Sequence, residues 1–287
     1  MTSRSSSSSQ RHDLARRGVM DRNGRRFPWQ VFSSELVGTA FLVLVGLSMV
    51  ILMFGAGSPM LRFVPGEGAR RLITGFLFGT TGALIALSPV GKESGAHINP
   101  VVTLGFWLMG KLDLPTTLGY IVAQMIGAVM GSLPLLLWGA MGKSVAFGAT
   151  LPGPGFTLPA VFLGEVATTF ALIAGLCIFL GFRKLRRYTP ALFPFLYAIM
   201  VYLEAPISGT STNPARTLGP AIVSGQWQGG WIYWAGPLIG MFLAILVFSF
   251  LAKRIEVAKL YHFESDRRRM FRTMGRQGPG RTWPLSW

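Results

Sequence analysis

The chain has 287 residues, 51% of them hydrophobic and 13% charged, with a formal net charge of +16. That balance excludes an ordinary soluble globule and describes one integral membrane domain with polar tails. The basic charge sits in the tails and short loops, a placement that argues against a nucleic-acid partner, and the single cysteine, Cys177, lies in an apolar run, so no disulfide framework exists.

Residues 1–31 are polar, with a serine run, Ser5–Ser9, and several arginines. They lack the apolar core and cleavage site of a secretory signal and are expected to form a disordered basic cytoplasmic tail. Six apolar segments follow, at about 32–54, 69–89, 115–139, 159–182, 188–206 and 230–252. A bilayer core of about 30 Å takes roughly 20 helical residues, so each can span it, and an even number leaves both termini on one side. Glycines at four-residue spacing (Gly75 and Gly79, Gly127 and Gly131, Gly236 and Gly240) suit close helix packing in lipid, where small residues replace the missing hydrophobic drive. Residues 253–287 form a second basic cytoplasmic tail, whose run Arg267-Arg268-Arg269 is read as solvated and topogenic, with contact to anionic lipid headgroups as the alternative. With the N-terminus inside, every Lys and Arg except Arg62, Arg70, Arg71, Lys143 and Arg216 falls on the inner side, the bias that orients membrane proteins.

One short stretch occurs twice. Residues 94–105 read S-G-A-H-I-N-P-V-V-T-L-G, and residues 208–219 read S-G-T-S-T-N-P-A-R-T-L-G, aligned without a gap. This marks an internal repeat, with units at about 32–139 and 159–252. Asn caps helices well and Pro is tolerated at the first helical position, so Asn99-Pro100 and Asn213-Pro214 should each open a helix. The runs that follow, 100–110 and 214–224, are about half the length that crosses a bilayer. Three spanning segments per unit invert the second unit relative to the first, so the half-helices enter from opposite sides and meet near the centre. Two positive helix ends there repel cations, and the Asn amides can donate to a passing oxygen, which predicts a pore for small neutral solutes that rejects protons and ions. Arg216, in the first turn of the second half-helix, is a charge inside the membrane. It is expected to line the narrow part of the pore; the bland alternative has it pairing only with loop carbonyls. The first copy has Val102 in its place.

The paired motifs, Asn-Pro-Val at 99–101 and Asn-Pro-Ala-Arg at 213–216, resemble those of the aquaporin (major intrinsic protein) family over about 32–252. Glu35-x-x-Gly38-Thr39, Glu165-x-x-Thr168 and Trp231-Ile232-Tyr233-Trp234-x-Gly236-Pro237 add to the likeness. The resemblance implies an all-α membrane protein, aquaporin-like, with six transmembrane helices plus two re-entrant half-helices in an inverted repeat. It further implies a homotetramer in the plasma or inner membrane, with one passive pore per subunit for water and, as a wider option, glycerol or other small neutral solutes. No cofactor, metal or catalytic residue is expected. The pore motifs would be Asn99, Pro100 and Val101 with Asn213, Pro214 and Ala215. The outer selectivity filter would be Arg216, Thr210, Val201 and Phe78, the last becoming Gly79 on strict counting from Asn99. Water-selective members carry His where this chain has Val201, which implies a wider, more apolar filter. Glycerol-conducting members carry Asp after the Arg, whereas this chain has Thr217, with Ala221, Tyr233 and Trp234 nearer the water pattern.

Glu35 and Glu165 occupy equivalent places in the repeats and are read as acceptors for the N–H groups of the re-entrant loops, not as an acid pair. His97 is expected to fix loop backbone or face the pore rather than bind metal. Val101 adds bulk at a half-helix tip. Glu204, one turn beyond Val201, either offsets the Arg216 charge at the outer mouth or faces lipid headgroups. The rival readings are a secondary transporter built on the inverted repeat and a closed structural membrane protein.

Overall fold

The computed structural model describes residues 28–250 and 255–264. The first tail as far as residue 27 and the run Arg267–Arg269 lie outside the described residues. Eight principal helices follow one another: α1 (Trp29–Phe54), α2 (Glu67–Leu87), α3 (Pro100–Leu108), α4 (Leu114–Ser132), α5 (Leu158–Gly181), α6 (Thr189–Ser208), α7 (Pro214–Ser224) and α8 (Ile232–Phe250). Six are long, while α3 and α7 are the half-helices. Among the long ones, α2 has the length to span but carries Glu67, Arg70 and Arg71 near its start, so the other five stand out by apolar composition. The start of α1 corrects the tail boundary of residue 31, because the chain is helical from Trp29, directly after Pro28. Past Ser132 the chain tightens into a 3-10 turn, Leu133–Trp138, since Pro134 has no N–H for the α-helical ladder.

The two repeats are α1–α4 and α5–α8. Within them α1 packs on α4 and α5 on α8; between them α2 packs on α6. The three glycine pairs lie at these three crossings. A β-carbon on Gly127 or Gly131 would strike the carbonyls of Leu36 or Ala40, on Gly75 or Gly79 those of Tyr197 or Phe193, and on Gly236 or Gly240 the chain at Glu165 and Val166. Gly79 is thus consumed by the α2–α6 crossing. Each half-helix rests on the last helix of the opposite repeat, α7 on α4 and α3 on α8. Large apolar side chains such as Phe41, Ile126, Ile199 and Leu246 remain exposed on the outer faces of the long helices, the pattern of a surface solvated by lipid.

Residues 255–264, the described part of the second tail, dock on the helical body. Ile255, Val257, Ala258, Lys259 and Leu260 are buried against the helical body. Ile255, Val257, Ala258 and Leu260 join the apolar cluster that contains Phe106, Leu172, Cys177 and Phe248. Glu256 anchors the segment from outside, pairing with Arg183 at 3.0 Å and Arg186 at 2.9 Å.

Candidate functional site

The two re-entrant loops are near-copies in three dimensions. Gly95 and Gly209 take left-handed backbone (φ 92° and 84°), as do Ala96 and Thr210 (54° and 52°) and Ile98 and Thr212 (41° and 53°). Left-handed φ is strained for β-branched residues, so something must hold Ile98 and the two threonines there. Two buried carboxylates do so. Glu35 Oε1 accepts from the His97 N–H at 3.0 Å and Oε2 from the Ile98 N–H at 2.7 Å. Glu165 accepts from the Ser211 and Thr212 N–H groups at 2.7 and 2.9 Å. Tyr120 from α4 donates to the Ser94 carbonyl at 2.7 Å, and Tyr233 from α8 to that of Ser208 at 2.9 Å. Gln124 bridges Glu35 to Thr103 at 2.7 and 2.9 Å. The tyrosine hydroxyls and Gln124 escaped the sequence reading as loop clamps, although an identical Tyr on the last helix of each repeat was a usable signal.

The clamped loops deliver the half-helix starts to one point. Asn99 Oδ1 caps α3 through the Val101 N–H at 2.8 Å; Asn213 Oδ1 caps α7 through Ala215 and Arg216 at 3.0 and 3.3 Å. Each amide then crosses to the other loop: Asn99 Nδ2 donates to the Thr212 carbonyl and Asn213 Nδ2 to the Ile98 carbonyl, both at 2.9 Å. An amide nitrogen has two hydrogens, so each Asn keeps one N–H to offer. Both asparagines line a small cavity of about 40 Å³. Val101 is fully buried in the apolar cluster, so its extra bulk is absorbed by packing rather than by the cavity lining.

A wider cavity of about 700 Å³ opens beyond, on the Arg216 side, lined by Phe78, Tyr197, Val201, Thr210 and Arg216. Phe78, Val201, Thr210 and Arg216 therefore converge; from α2, Phe78 lines this cavity with Glu67, Arg71 and Thr74, whereas Gly79 does not. Arg216 donates to the Gly148 carbonyl at 2.9 Å while facing this cavity. Thr217 turns away from it, bonding Thr150 at 2.8 Å and Ser211 at 2.6 Å.

Glu204 departs from both sequence-based readings. It is 6% exposed, accepts from the Thr210 hydroxyl at 2.6 Å and packs against Gly164, with neither a bond to Arg216 nor a lipid-facing position. Helical spacing placed it on the Val201 side of α6, but α5 covers it.

The opposite mouth is occupied. His97 Nε2 meets the Ala258 carbonyl at 3.0 Å, its ring stacked on Phe106 with centroids 4.5 Å apart. The Leu260 N–H donates to the Gly95 carbonyl at 3.1 Å, and Lys259 Nζ donates to the carbonyls of Lys92 and Glu93 at 2.5 and 3.0 Å. Leu260 itself lines the small cavity beside His97 and Asn99. Among the described residues no cluster of His, Cys, Asp or Glu could hold a metal ion.

Two helical repeats whose half-helices meet at a lined passage are the architecture of a membrane transport protein. The family model for the major intrinsic protein matches residues 24–248, and the chain belongs to that family. It is 33% identical to the lens fiber major intrinsic protein of Gallus gallus over 231 residues, covering 77% of this chain and 80% of that one. It is 32% identical to aquaporin A of Dictyostelium discoideum over 234 residues, covering 79% and 80%. In fold it is similar to the aquaglyceroporin of Plasmodium falciparum, with a TM-score of 0.58 at 19% identity, over 78% of this chain and 95% of that one.

Proposed function

We propose that the passage conducts water, with small uncharged solutes admitted only as far as its narrowest point allows, and excludes protons and cations. The observation that supports this best is the crossed pair Asn99 and Asn213. Each is fixed by its own cap and by the other loop, and each keeps one N–H beside a positive helix end. A water oxygen is welcome there and a cation is not. Arg216 adds a second positive barrier in the wider cavity. We assign Phe78, Val201, Thr210 and Arg216 to the filter, Glu35 and Glu165 to loop support, and His97 to the opposite mouth. The Lys and Arg bias supports an orientation with both termini cytoplasmic and the Arg216 mouth outside, and we assign the chain to a plasma or inner membrane. We propose a homotetramer, for which the family resemblance is the support.

One observation favours a second reading, a closed pore: residues 255–264 sit across the His97 mouth. Stopped-flow light scattering on proteoliposomes separates the two. Fast shrinkage under a sucrose gradient, with low temperature dependence, supports the water channel. Shrinkage no faster than protein-free vesicles would sink it.

A further inference from the structure

The filter residues leave the wider cavity apolar and roomy at Val201, yet the passage does not stay wide. Tyr197 lies on α6 one turn from Val201, so both point the same way. Tyr197 and Phe78 are shared by the linings of the wide cavity and the small cavity at the asparagines. Their rings lie 5.6 Å apart, centroid to centroid, tilted by 34°, which is aromatic contact distance. The phenol of Tyr197 reaches on to the Thr212 hydroxyl at 3.0 Å. Thr212 is the residue whose carbonyl accepts from Asn99, so this bond lies beside the asparagine pair. Phe78 cannot swing back towards α1 without striking it, because its ring already fills the space where a side chain on Gly46 would be.

We infer that Tyr197 is a specificity-determining residue. With Phe78 packed beside it and the buried Thr212 holding its hydroxyl, its ring forms a second constriction where the two cavities meet, between the Arg216 filter and the asparagine pair, and this constriction sets the size limit for solutes. Water is small enough to pass the Tyr197 ring and reach the N–H groups of Asn99 and Asn213 beyond it. A three-carbon polyol needs a gap that the ring denies. The inference rests on the channel reading and deepens it, because it predicts that a chain with Val201 in its filter excludes glycerol through Tyr197.

The test is full-length protein in proteoliposomes, measured for osmotic water flux and for glycerol uptake, as wild type, Tyr197→Val and Tyr197→Phe. Monodisperse elution of each variant in detergent guards against misfolding. The expected result is glycerol exclusion by the wild type and glycerol uptake by Tyr197→Val faster by roughly tenfold or more, the effect of about 1.4 kcal/mol of barrier. Tyr197→Phe keeps the ring and still excludes glycerol, while its water flux shifts through loss of the Thr212 bond. A wild type that passes glycerol as fast as Tyr197→Val overturns the inference. Equal fluxes of both solutes in wild type and Tyr197→Val overturn it. If those equal fluxes also match protein-free vesicles, and still do so with the chain ended at Phe250, the channel reading falls with it; if they exceed them, that reading stands.

Discussion

At the scale of the residue, the site is a matter of which buried backbone groups have partners. Glu165 holds the N–H groups of Ser211 and Thr212. Replacing it by Ala leaves both buried donors unmet, at about 1–3 kcal/mol each, so a clear fall in the thermal midpoint of the purified protein is expected. Glu165→Gln keeps one acceptor and should recover part of the loss. Asn213→Asp keeps the cap acceptor but loses the N–H given to the Ile98 carbonyl and adds negative charge between two positive helix ends. The expected outcome is an inward proton or sodium leak in dye-loaded vesicles, while water flux persists; an ion-tight variant would count against the electrostatic account of exclusion. The Asn-Pro starts were legible in the sequence because capping and proline geometry are local. The Glu204 contact was not, since helical spacing tells which side a residue takes and says nothing of what covers that side. Tyr197 was passed over for the same reason, as one more aromatic in an apolar run.

At the scale of the element, the helices are positioned by backbone contact more than by large side chains. Gly131 lies directly on the Ala40 carbonyl. A Leu there must push α4 away from α1, and overpacking of this kind costs about 1–3 kcal/mol or more. Gly131→Leu is therefore expected to express poorly or to lose monodisperse elution, whereas Gly110, with no neighbour in reach of a β-carbon, should tolerate Ala with a smaller loss confined to its left-handed backbone (φ 71°). The glycine spacing made these crossings readable in advance, though not which helix each pair would meet. The docked segment 255–264 was unreadable, because Glu256 and Lys259 make it look solvated. Its apolar residues find a groove, and its charges find Arg183, Arg186 and the carbonyls of Lys92 and Glu93. Ending the chain at Phe250 should raise water flux per copy if this segment obstructs the His97 mouth, and unchanged flux would show that water passes beside it.

At the scale of the whole molecule, the C-terminal anchor carries a pH dependence of definite sign. Arg183, and then Arg186, hold the Glu256 carboxyl below its ordinary range, and Arg183 is raised in turn. A depressed carboxylate favours the docked state above the pKa of the undocked segment, and that contribution is lost as pH falls through the lowered value. Docking is thus expected to be level near neutrality and to weaken only in acid. The effect is modest, since Arg183 and Glu256 are substantially exposed. Water flux that climbs in acid for the wild type, but is already high at neutral pH for Glu256→Gln, would show the anchor at work. The crossed asparagine bonds have a kinetic consequence as well. Asn99 is tied to the second repeat and Asn213 to the first, and each half-helix rests on the far repeat, so neither half can rock without breaking buried bonds at the centre. A protein built this way has no carrier cycle to turn over. Unlabelled solute loaded on one face should never speed tracer entering from the other: neither exchange acceleration nor counterflow is expected, and net flux should rise in proportion to the gradient.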